Sequence, residues 1–233
     1  MIQRILFIFF FYVGTIIICI FFAPALLLPQ KITLYGGKIL GYWSKFCLET
    51  FLSAKIIVKG KEKILNNKKF FIASAHQSQF ETFFLQTLFD SPVFILKKEL
   101  LKIPIFGWQL KKIGSISIER NKITKENLNF SDKIKKHIKS SNRPIIIFPQ
   151  ATRVDVLDRS PFKKGVKRIY EDLDIFCQPI ALNSGNIWPK NGKLIPNKTL
   201  TISIMDPISP GMNSDEFLNL LQKKIYEEID KIN

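Results

Sequence analysis

An uncharged apolar run at the start of the chain restricts the environments in which the protein can fold. Residues 5–28 carry no charged side chain over 24 positions. A helix of that length covers about 36 Å, against the roughly 30 Å hydrocarbon core of a bilayer. Pro24 bends or ends such a helix, so the run either crosses the bilayer or dips into it as a monotopic anchor. We expect residues 1–54 to form an N-terminal membrane-anchoring helical segment that precedes a main domain at 55–233.

Flanking charges indicate the orientation of this segment. Arg4 alone precedes the run, whereas Lys31, Lys38 and Lys45 follow it, and the positive-inside bias then places the main domain in the cytoplasm. A cleaved signal peptide is the alternative, but the run is long for one and Pro24 lies inside the only small-residue site. Residues 31–54 mix apolar residues with lysines, which fits an interfacial helix or an ordinary helix packed on the core.

The charge balance of the chain points to an anionic partner. The sequence holds 35 Lys and Arg residues against 19 Asp and Glu, a formal net charge of +16. An anionic membrane surface fits this excess, and no motif that reads nucleic acid is present, so we expect no nucleic-acid partner. A non-catalytic basic protein at a membrane surface is the alternative to an enzyme. Three scattered cysteines give no metal-site or disulfide spacing, so we expect no metal and a reducing compartment.

Strand-like and helix-like patterns alternate from Lys55 onward. Strands are predicted at 55–59, 70–75, 93–97, 115–118, 144–149, 177–182 and 200–205, and helices at about 81–89, 124–140, 164–173 and 214–232. This alternation indicates an α/β fold with a mainly parallel central sheet that is flanked by helices.

The apolar run 70–75 ends in His76, and Glu81 follows five positions later. A short continuous apolar run is typical of a buried parallel strand, and ligands gather where such strands end. Glu81 can hold one ring nitrogen and leave the other free as a base. Because no Ser or Cys stands in a G-x-S-x-G setting, this favours a histidine that takes a proton from a substrate hydroxyl. A structural loop histidine is the alternative on spacing alone.

Cationic residues stand at the ends of other predicted strands. Lys97, Arg120 and Arg153 lie at or shortly after the strands 93–97, 115–118 and 144–149, respectively. If these strands are parallel neighbours of 70–75, the three side chains converge near His76, where they could hold a phosphate. Each of them alone also fits a solvated surface charge.

Four sequence blocks resemble those of the glycerolipid acyltransferase family, most nearly its bacterial 1-acyl-sn-glycerol-3-phosphate acyltransferases. His76-Gln77-Ser78-Gln79-Phe80-Glu81 resembles the H-x-x-x-x-D block, and Phe148-Pro149-Gln150-Ala151-Thr152-Arg153 resembles the F-P-E-G-T-R block. Residues 114–120 and 178–185 resemble the second and fourth blocks. Order and spacing are kept over about residues 55–206, and four blocks in register are more specific than any one.

This resemblance implies acyl transfer from acyl-CoA or acyl-carrier protein to the sn-2 hydroxyl of lysophosphatidic acid. The product would be phosphatidic acid, made at the cytoplasmic face of the inner membrane without a cofactor. His76 would act as the general base, and Glu81 would orient it. The implied substrate-binding residues are Lys97, Arg120, Gln150, Thr152 and Arg153, of which the cationic three would contact phosphate.

Three positions depart from the family pattern. Glu81 is one methylene longer than the family's aspartate and is still expected to reach the imidazole. Gln150 replaces a glutamate and keeps an acceptor oxygen, while Ala151 replaces a glycine, so we do not expect a positive φ there. The changes at 150 and 151 leave other lysolipids, including lyso-ornithine lipids and lysophospholipids, open as acceptors. Backbone amides around Ala151 and Thr152 are candidate oxyanion donors.

Overall fold

A computed structural model describes residues 1–118 and 130–233 of the protein. Within these residues, one seven-stranded sheet has the order β1-β7-β6-β2-β5-β3-β4. The strands are β1 (Lys55–Lys59), β2 (Phe70–Ser74), β3 (Val93–Lys97), β4 (Ile116–Ile118), β5 (Ile145–Ile147), β6 (Phe176–Leu182) and β7 (Thr199–Ile204). All neighbouring pairs are parallel except β6 and β7, which are antiparallel. The predicted mainly parallel α/β sheet is confirmed.

The central position of β2 explains its apolar sequence. Every residue of β2 is buried, because it pairs with β5 on one side and β6 on the other, where Ile72 lies opposite Ile146 and Gln178. A strand with two neighbours and two covered faces has no polar side and reads as a continuous apolar run. The end of β2 therefore brings His76 to the middle of the carboxyl edge of the sheet.

Helices cover the sheet and connect its strands. They are α1 (Ile2–Phe21), α2 (Gln30–Phe51), α3 (Phe80–Phe84), α4 (Phe106–Lys112), α5 (Phe130–Ser140), α6 (Gly165–Leu173) and α7 (Ser214–Ile232). The helix predicted to continue to Phe89 is shorter than expected, since α3 ends at Phe84 and a 3₁₀ turn follows at Leu85–Thr87. Phenylalanine and threonine are weak helix formers, and the Thr87 hydroxyl bonds back to the Phe84 carbonyl at 2.8 Å.

The apolar helix α1 lies against the α/β body along one side. Phe7 and Phe11 are buried edge-on against Trp188, with ring centroids 5.1 and 4.9 Å away. Trp43 of α2 donates its indole N–H to the Phe11 carbonyl at 3.3 Å. Three of the twenty α1 residues are buried, so most of the helix surface is apolar and exposed.

By length and composition, one helical span among the described residues could cross a membrane. This span is Ile2–Leu27, with a mean hydropathy of 2.9. The N-terminal hydrophobic helix indicates membrane association. The division of the chain at residue 54 stays a prediction.

Candidate active site

Three strand ends meet at the carboxyl edge of the sheet. β2 leads into His76, its neighbour β5 leads into the segment 148–153, and β6 leads into Ser184. His76, Gln150 and Ser184 are all buried where these segments converge. In open α/β folds this edge of the sheet is where ligands bind.

His76 and Glu81 form a hydrogen-bonded pair. Nδ1 of His76 lies 2.9 Å from Oε1 of Glu81, so the expected reach of the longer glutamate is confirmed. An ionised carboxylate only accepts, which assigns the proton to Nδ1 and the lone pair to Nε2. No residue in 1–118 or 130–233 makes a hydrogen bond with Nε2, and the ring lines an open cleft. Nε2 is therefore available to take a proton from a bound molecule.

Three further donors fix the Glu81 carboxylate. The backbone amides of Gln77 and Ser78 each donate to Oε1 at 2.7 Å, and the Ser184 hydroxyl donates to Oε2 at 2.8 Å. The Glu81 side chain is fully buried, and a buried charge requires partners of this kind. The turn between β2 and α3 thus forms a cradle of amides that accommodates the extra methylene.

Residues after β5 hold the ring and the backbone of His76. Phe148 stacks on the imidazole with centroids 4.2 Å apart and planes 22° apart. The His76 amide donates to Oε1 of Gln150 at 2.8 Å, and the His76 carbonyl accepts from the Val154 amide at 2.9 Å. The stacking on Phe148 and the bond to Glu81 hold the imidazole ring so that it faces the cleft. Gln150 consequently lies behind His76 and not on the cleft wall.

The turn after β6 approaches the His76 turn unusually closely. Oε1 of Gln77 accepts from the Gly185 amide at 3.1 Å. A Cβ at position 185 would lie 2.8 Å from Cγ2 of Val156 and 3.3 Å from Cβ of Gln77. A larger residue at position 185 would therefore require the Val156 side chain to shift. Together with Ser184, it ties the first sequence block to the fourth.

Ala151 has φ +58°, in the left-handed region. The expectation that this residue avoids a positive φ is wrong. The segment 148–153 makes a tight turn at this residue, and an alanine there carries the cost of a Cβ close to a carbonyl oxygen. The Ala151 amide donates to the Phe148 carbonyl at 2.9 Å, so this amide is engaged in the turn and is not a free oxyanion donor.

A cleft of about 460 Å³ opens beside His76. Among the described residues, the polar and charged side chains that line it are those of His76, Gln79, Thr82, Lys97, Thr152, Arg153 and Lys190. The sequence-predicted residues Lys97, Thr152 and Arg153 thus share one cleft with His76. Arg120 lies outside the described residues.

Lys190 is a cleft cation that the sequence analysis missed. Its Nζ lies 3.4 Å from the Thr152 hydroxyl. Lys190 is thus a third described cation that lines the cleft, together with Lys97 and Arg153. Lys190 follows the turn after β6 rather than the strand itself. The signal in the sequence is a lysine five positions after the fourth block, residues 178–185.

A second, apolar cavity of about 130 Å³ adjoins the cleft. The two spaces share walls that include Phe83, Leu96, Phe106 and Phe148. Its other walls come from the N-terminal helices, α4, β3 and the 3₁₀ turn after α3. An alkyl chain that enters from the cleft would find only apolar surface there apart from a few amide and hydroxyl groups.

The second histidine has a structural environment. His137 donates through Nε2 to the Arg143 carbonyl at 3.0 Å, and burial lowers its pKa. Cys19, Cys47 and Cys177 are unpaired and buried. Within residues 1–118 and 130–233, no group of three His, Cys, Asp or Glu residues could hold a metal ion.

Known families and proteins resemble the part of the chain that forms the sheet and the candidate active site. A family model described as Acyltransferase matches residues 55–183. The 1-acyl-sn-glycerol-3-phosphate acyltransferase of Pseudomonas aeruginosa is 33% identical over 153 residues, which cover 64% of this chain and 59% of that protein. The enzyme of the same name from Helicobacter pylori is 30% identical over 156 residues, covering 66% and 65%. The chain thus spans somewhat less than two thirds of the length of these relatives.

A solved structure has the same fold over the whole chain. The crystal structure of the 1-acyl-sn-glycerophosphate acyltransferase from Thermotoga maritima superposes with a TM-score of 0.80. The match covers 100% of this chain and 98% of that one at 20% sequence identity. At this identity the likeness establishes the fold.

Proposed function

The chain belongs to the acyltransferase family, and we propose that it transfers a fatty acyl group from a thioester donor to the sn-2 hydroxyl of lysophosphatidic acid. The donor is acyl-CoA or acyl-carrier protein, and the product is phosphatidic acid. The observation that carries the proposal is the buried His76 and Glu81 pair, whose free Nε2 faces a cleft lined by Lys97, Arg153 and Lys190. Relatives that carry the name of this activity support it.

The proposed reaction is a direct transfer. Nε2 of His76 takes the proton of the acceptor hydroxyl while the hydroxyl oxygen attacks the thioester carbonyl carbon. The tetrahedral intermediate then expels the thiolate, and the imidazolium returns the proton to the thiol sulfur. Glu81 stabilises the imidazolium between these steps. Because a thioester is already electrophilic, the chain needs a positioned base and oriented reactants, and the chemistry requires no cofactor.

The acceptor phosphate has suitable partners in the cleft. Lys97 and Arg153 extend from strand ends on one side of the sheet centre, and Lys190 comes from the loop after β6. Arginine and lysine are the side chains that bind phosphate in proteins, by fork geometry and as a point charge, respectively. This cation set favours an acceptor with a phosphomonoester over a zwitterionic lysolipid.

The acyl chain has a suitable site in the apolar cavity. Phe83, Leu96 and Phe106 line both the cavity and the cleft, and in the proposed complex a thioester carbonyl beside His76 extends its alkyl chain past these side chains into apolar surroundings. Burial there releases about 0.8 kcal/mol per methylene. The cavity thereby selects donors by chain length.

We propose that α1 lies in the membrane along the α/β body and not apart from it. Contacts from Phe7 near the start of α1 to Cys19 near its end hold the helix on that body. The exposed residues of α1 are apolar from Ile5 to its end at Phe21, which suits the cytoplasmic leaflet of an inner membrane. In this position the cleft is close to the lipid acceptor.

An acceptor screen tests the proposed function. The full-length protein in mixed detergent and phospholipid micelles is given one labelled acyl-CoA and, in parallel, one acyl-carrier protein thioester. Acceptors are lysophosphatidic acid, lysophosphatidylcholine, lysophosphatidylethanolamine and a lyso-ornithine lipid. We expect lysophosphatidic acid to be used at least tenfold faster than the others. A preference for a neutral or zwitterionic acceptor would contradict lysophosphatidic acid as the substrate but support acyl transfer. No transfer to any of the four acceptors would contradict acyl transfer.

A further inference from the structure

An exposed apolar patch lies outside the N-terminal helices, in the segment 98–112 between β3 and the end of α4. Leu100, Ile103 and Trp108 expose 38%, 44% and 53% of their surface, respectively. Single exposed apolar residues are common on soluble proteins, but three large ones within a short segment mark an interaction surface. We refer to the segment 98–112 as the lip.

The lip adjoins both the cleft and α1. Leu100 and Ile103 line the mouth of the cleft. The Gln109 amide donates to the Cys19 carbonyl in α1 at 2.9 Å, and the Gln30 amide donates to the Lys112 carbonyl at 2.8 Å. The lip is therefore fixed to the end of α1, whose exposed residues are mostly apolar, and two of its own exposed apolar residues line the cleft.

Lysines border the apolar residues of the lip. Lys97 directly before the lip and Lys102 and Lys111 within it are exposed, against one exposed acidic side chain, that of Glu99. Trp108 lies between Lys102 and Lys111 in the sequence, and tryptophan with nearby lysine is the combination found at the headgroup level of membranes. Lysines near an anionic lipid surface strengthen binding to it. Charge and apolarity together match an anionic bilayer.

A strained turn shapes the lip. Ile105 has φ 60° and ψ −62°, and the Phe106 amide donates to the Pro104 carbonyl at 2.6 Å. This is a γ-turn with a β-branched residue at positive φ, a conformation that is costly and concentrates at functional segments. Before the turn Ile103 is exposed, and after it Phe106 reaches the wall shared by the cleft and the apolar cavity.

We propose that the lip is a second membrane-inserting element. Leu100, Ile103 and Trp108 enter an anionic bilayer beside α1, so that the mouth of the cleft opens at the lipid surface and the lysolipid passes sideways into it. The inference rests on the membrane-bound acyl transfer proposed above. It adds a lipid contact made by the α/β body itself, at the entrance of the site.

Spin labels test the insertion directly. The full-length variants Trp108→Cys and Met212→Cys are labelled with a nitroxide and reconstituted into vesicles of phosphatidylcholine and phosphatidylglycerol; the native cysteines are buried. Met212 is 37% exposed and follows Ile208, which bridges to Cys177 at the opposite end of β6 from the site. We expect the label at 108 to meet oxygen more often than a water-soluble nickel chelate, and the label at 212 to show the reverse. Equal chelate access at both positions would overturn the proposal.

An activity measurement separates this inference from the proposed function. Trp108→Ser should transfer acyl groups to a vesicle-embedded lysophosphatidic acid at least fivefold more slowly than the unaltered protein, and to a water-dispersed short-chain acceptor within twofold of it. Met212→Ser should change neither rate. Equal losses on both acceptors, or protection of the label at 108 only when acyl-carrier protein is added, would contradict insertion. Failure of the proposed function would instead show as no transfer by the unaltered protein, whatever the labels report.

Discussion

The Ser184 hydroxyl donates a 2.8 Å hydrogen bond to Oε2 of Glu81, the carboxylate oxygen that His76 does not contact. Two residues 103 positions apart are thereby joined inside the protein, and both are fully buried. The imidazole is oriented by a carboxylate that is itself oriented by the turn after the carboxyl end of β6. Ser184 is therefore a positioning residue in the proposed mechanism.

Replacing Ser184 by alanine should lower kcat by about tenfold with little change in the KM of the acceptor. A hydrogen bond to a charged group contributes about 1.5–3 kcal/mol, and its loss frees one Glu81 oxygen while the amides of Gln77 and Ser78 still hold the other. Steady-state kinetics with lysophosphatidic acid measure this. Ser184→Thr should restore most of kcat, and Ser44→Ala, which removes another buried hydroxyl bonded 2.7 Å from a carbonyl in α2, should leave it unchanged. A loss of kcat in the Ser44 variant as large as that in the Ser184 variant would reduce Ser184 to a packing role.

Glycine at position 151 should stabilise the protein. The left-handed φ of Ala151 costs an L-residue about 1–2 kcal/mol, while glycine adds about 0.4–1 kcal/mol of chain entropy to the unfolded state. The expected net gain for Ala151→Gly is roughly 0.5–1 kcal/mol in the free energy of unfolding. Denaturant unfolding in detergent measures it. Ala73→Gly in the buried strand β2 is the control and should destabilise the protein, and a destabilised Ala151→Gly variant would refute the strain.

Removing the charge of Lys190 should weaken acceptor binding. In the proposed site Lys190 shares the acceptor phosphate with Lys97 and Arg153, and one exposed cation there is worth about 1 kcal/mol. Lys190→Ala should raise the KM for lysophosphatidic acid about fivefold and leave kcat within twofold. Lys193→Ala, an exposed lysine of the same loop that does not line the cleft, should change neither constant. An unchanged KM in the Lys190 variant would remove this residue from the phosphate site.

Filling the apolar cavity should shorten the preferred acyl donor. Leu110 of α4 lines this cavity, and Leu110→Trp occupies space that the end of the alkyl chain would use. The ratio of kcat/KM between a long-chain and a medium-chain acyl-CoA should fall by at least tenfold, since each lost buried methylene removes about 0.8 kcal/mol. Leu157→Trp, at a position 73% exposed, is the matched control. If the ratio of kcat/KM between the two donors is the same in both variants, the acyl chain does not bind in the apolar cavity.

The sheet could be predicted from the sequence because its strands are buried on both faces. Phe70–Ser74 and Ile145–Ile147 stand out as apolar runs for this reason, and His76 is the first polar group after one of them. The antiparallel pairing of β7 with β6 could not be predicted from the sequence of either strand. The direction of a strand depends on the path of the chain that connects it to its neighbour.

The contacts that complete the site could not be predicted from spacing. Ser184 and Gly185 meet Glu81 and Gln77 only through the packing of β6 beside β2, more than 100 residues further along the chain. The positive φ of Ala151 does not follow from local preference, which disfavours it in alanine, because hydrogen bonds around the turn impose it. The role of Arg120 stays a prediction.

The proton-accepting role of His76 is the central claim, and His76→Ala tests it most directly. The rate of labelled acyl transfer from acyl-CoA to lysophosphatidic acid is measured for the purified full-length variant and the unaltered protein at equal amounts in the same micelles, with unfolding curves to show that the variant is folded. A positioned base contributes about 10²–10⁴-fold, and the account predicts that the variant keeps less than about a thousandth of the rate. A folded His76→Ala protein that retains a tenth or more of the rate would contradict it.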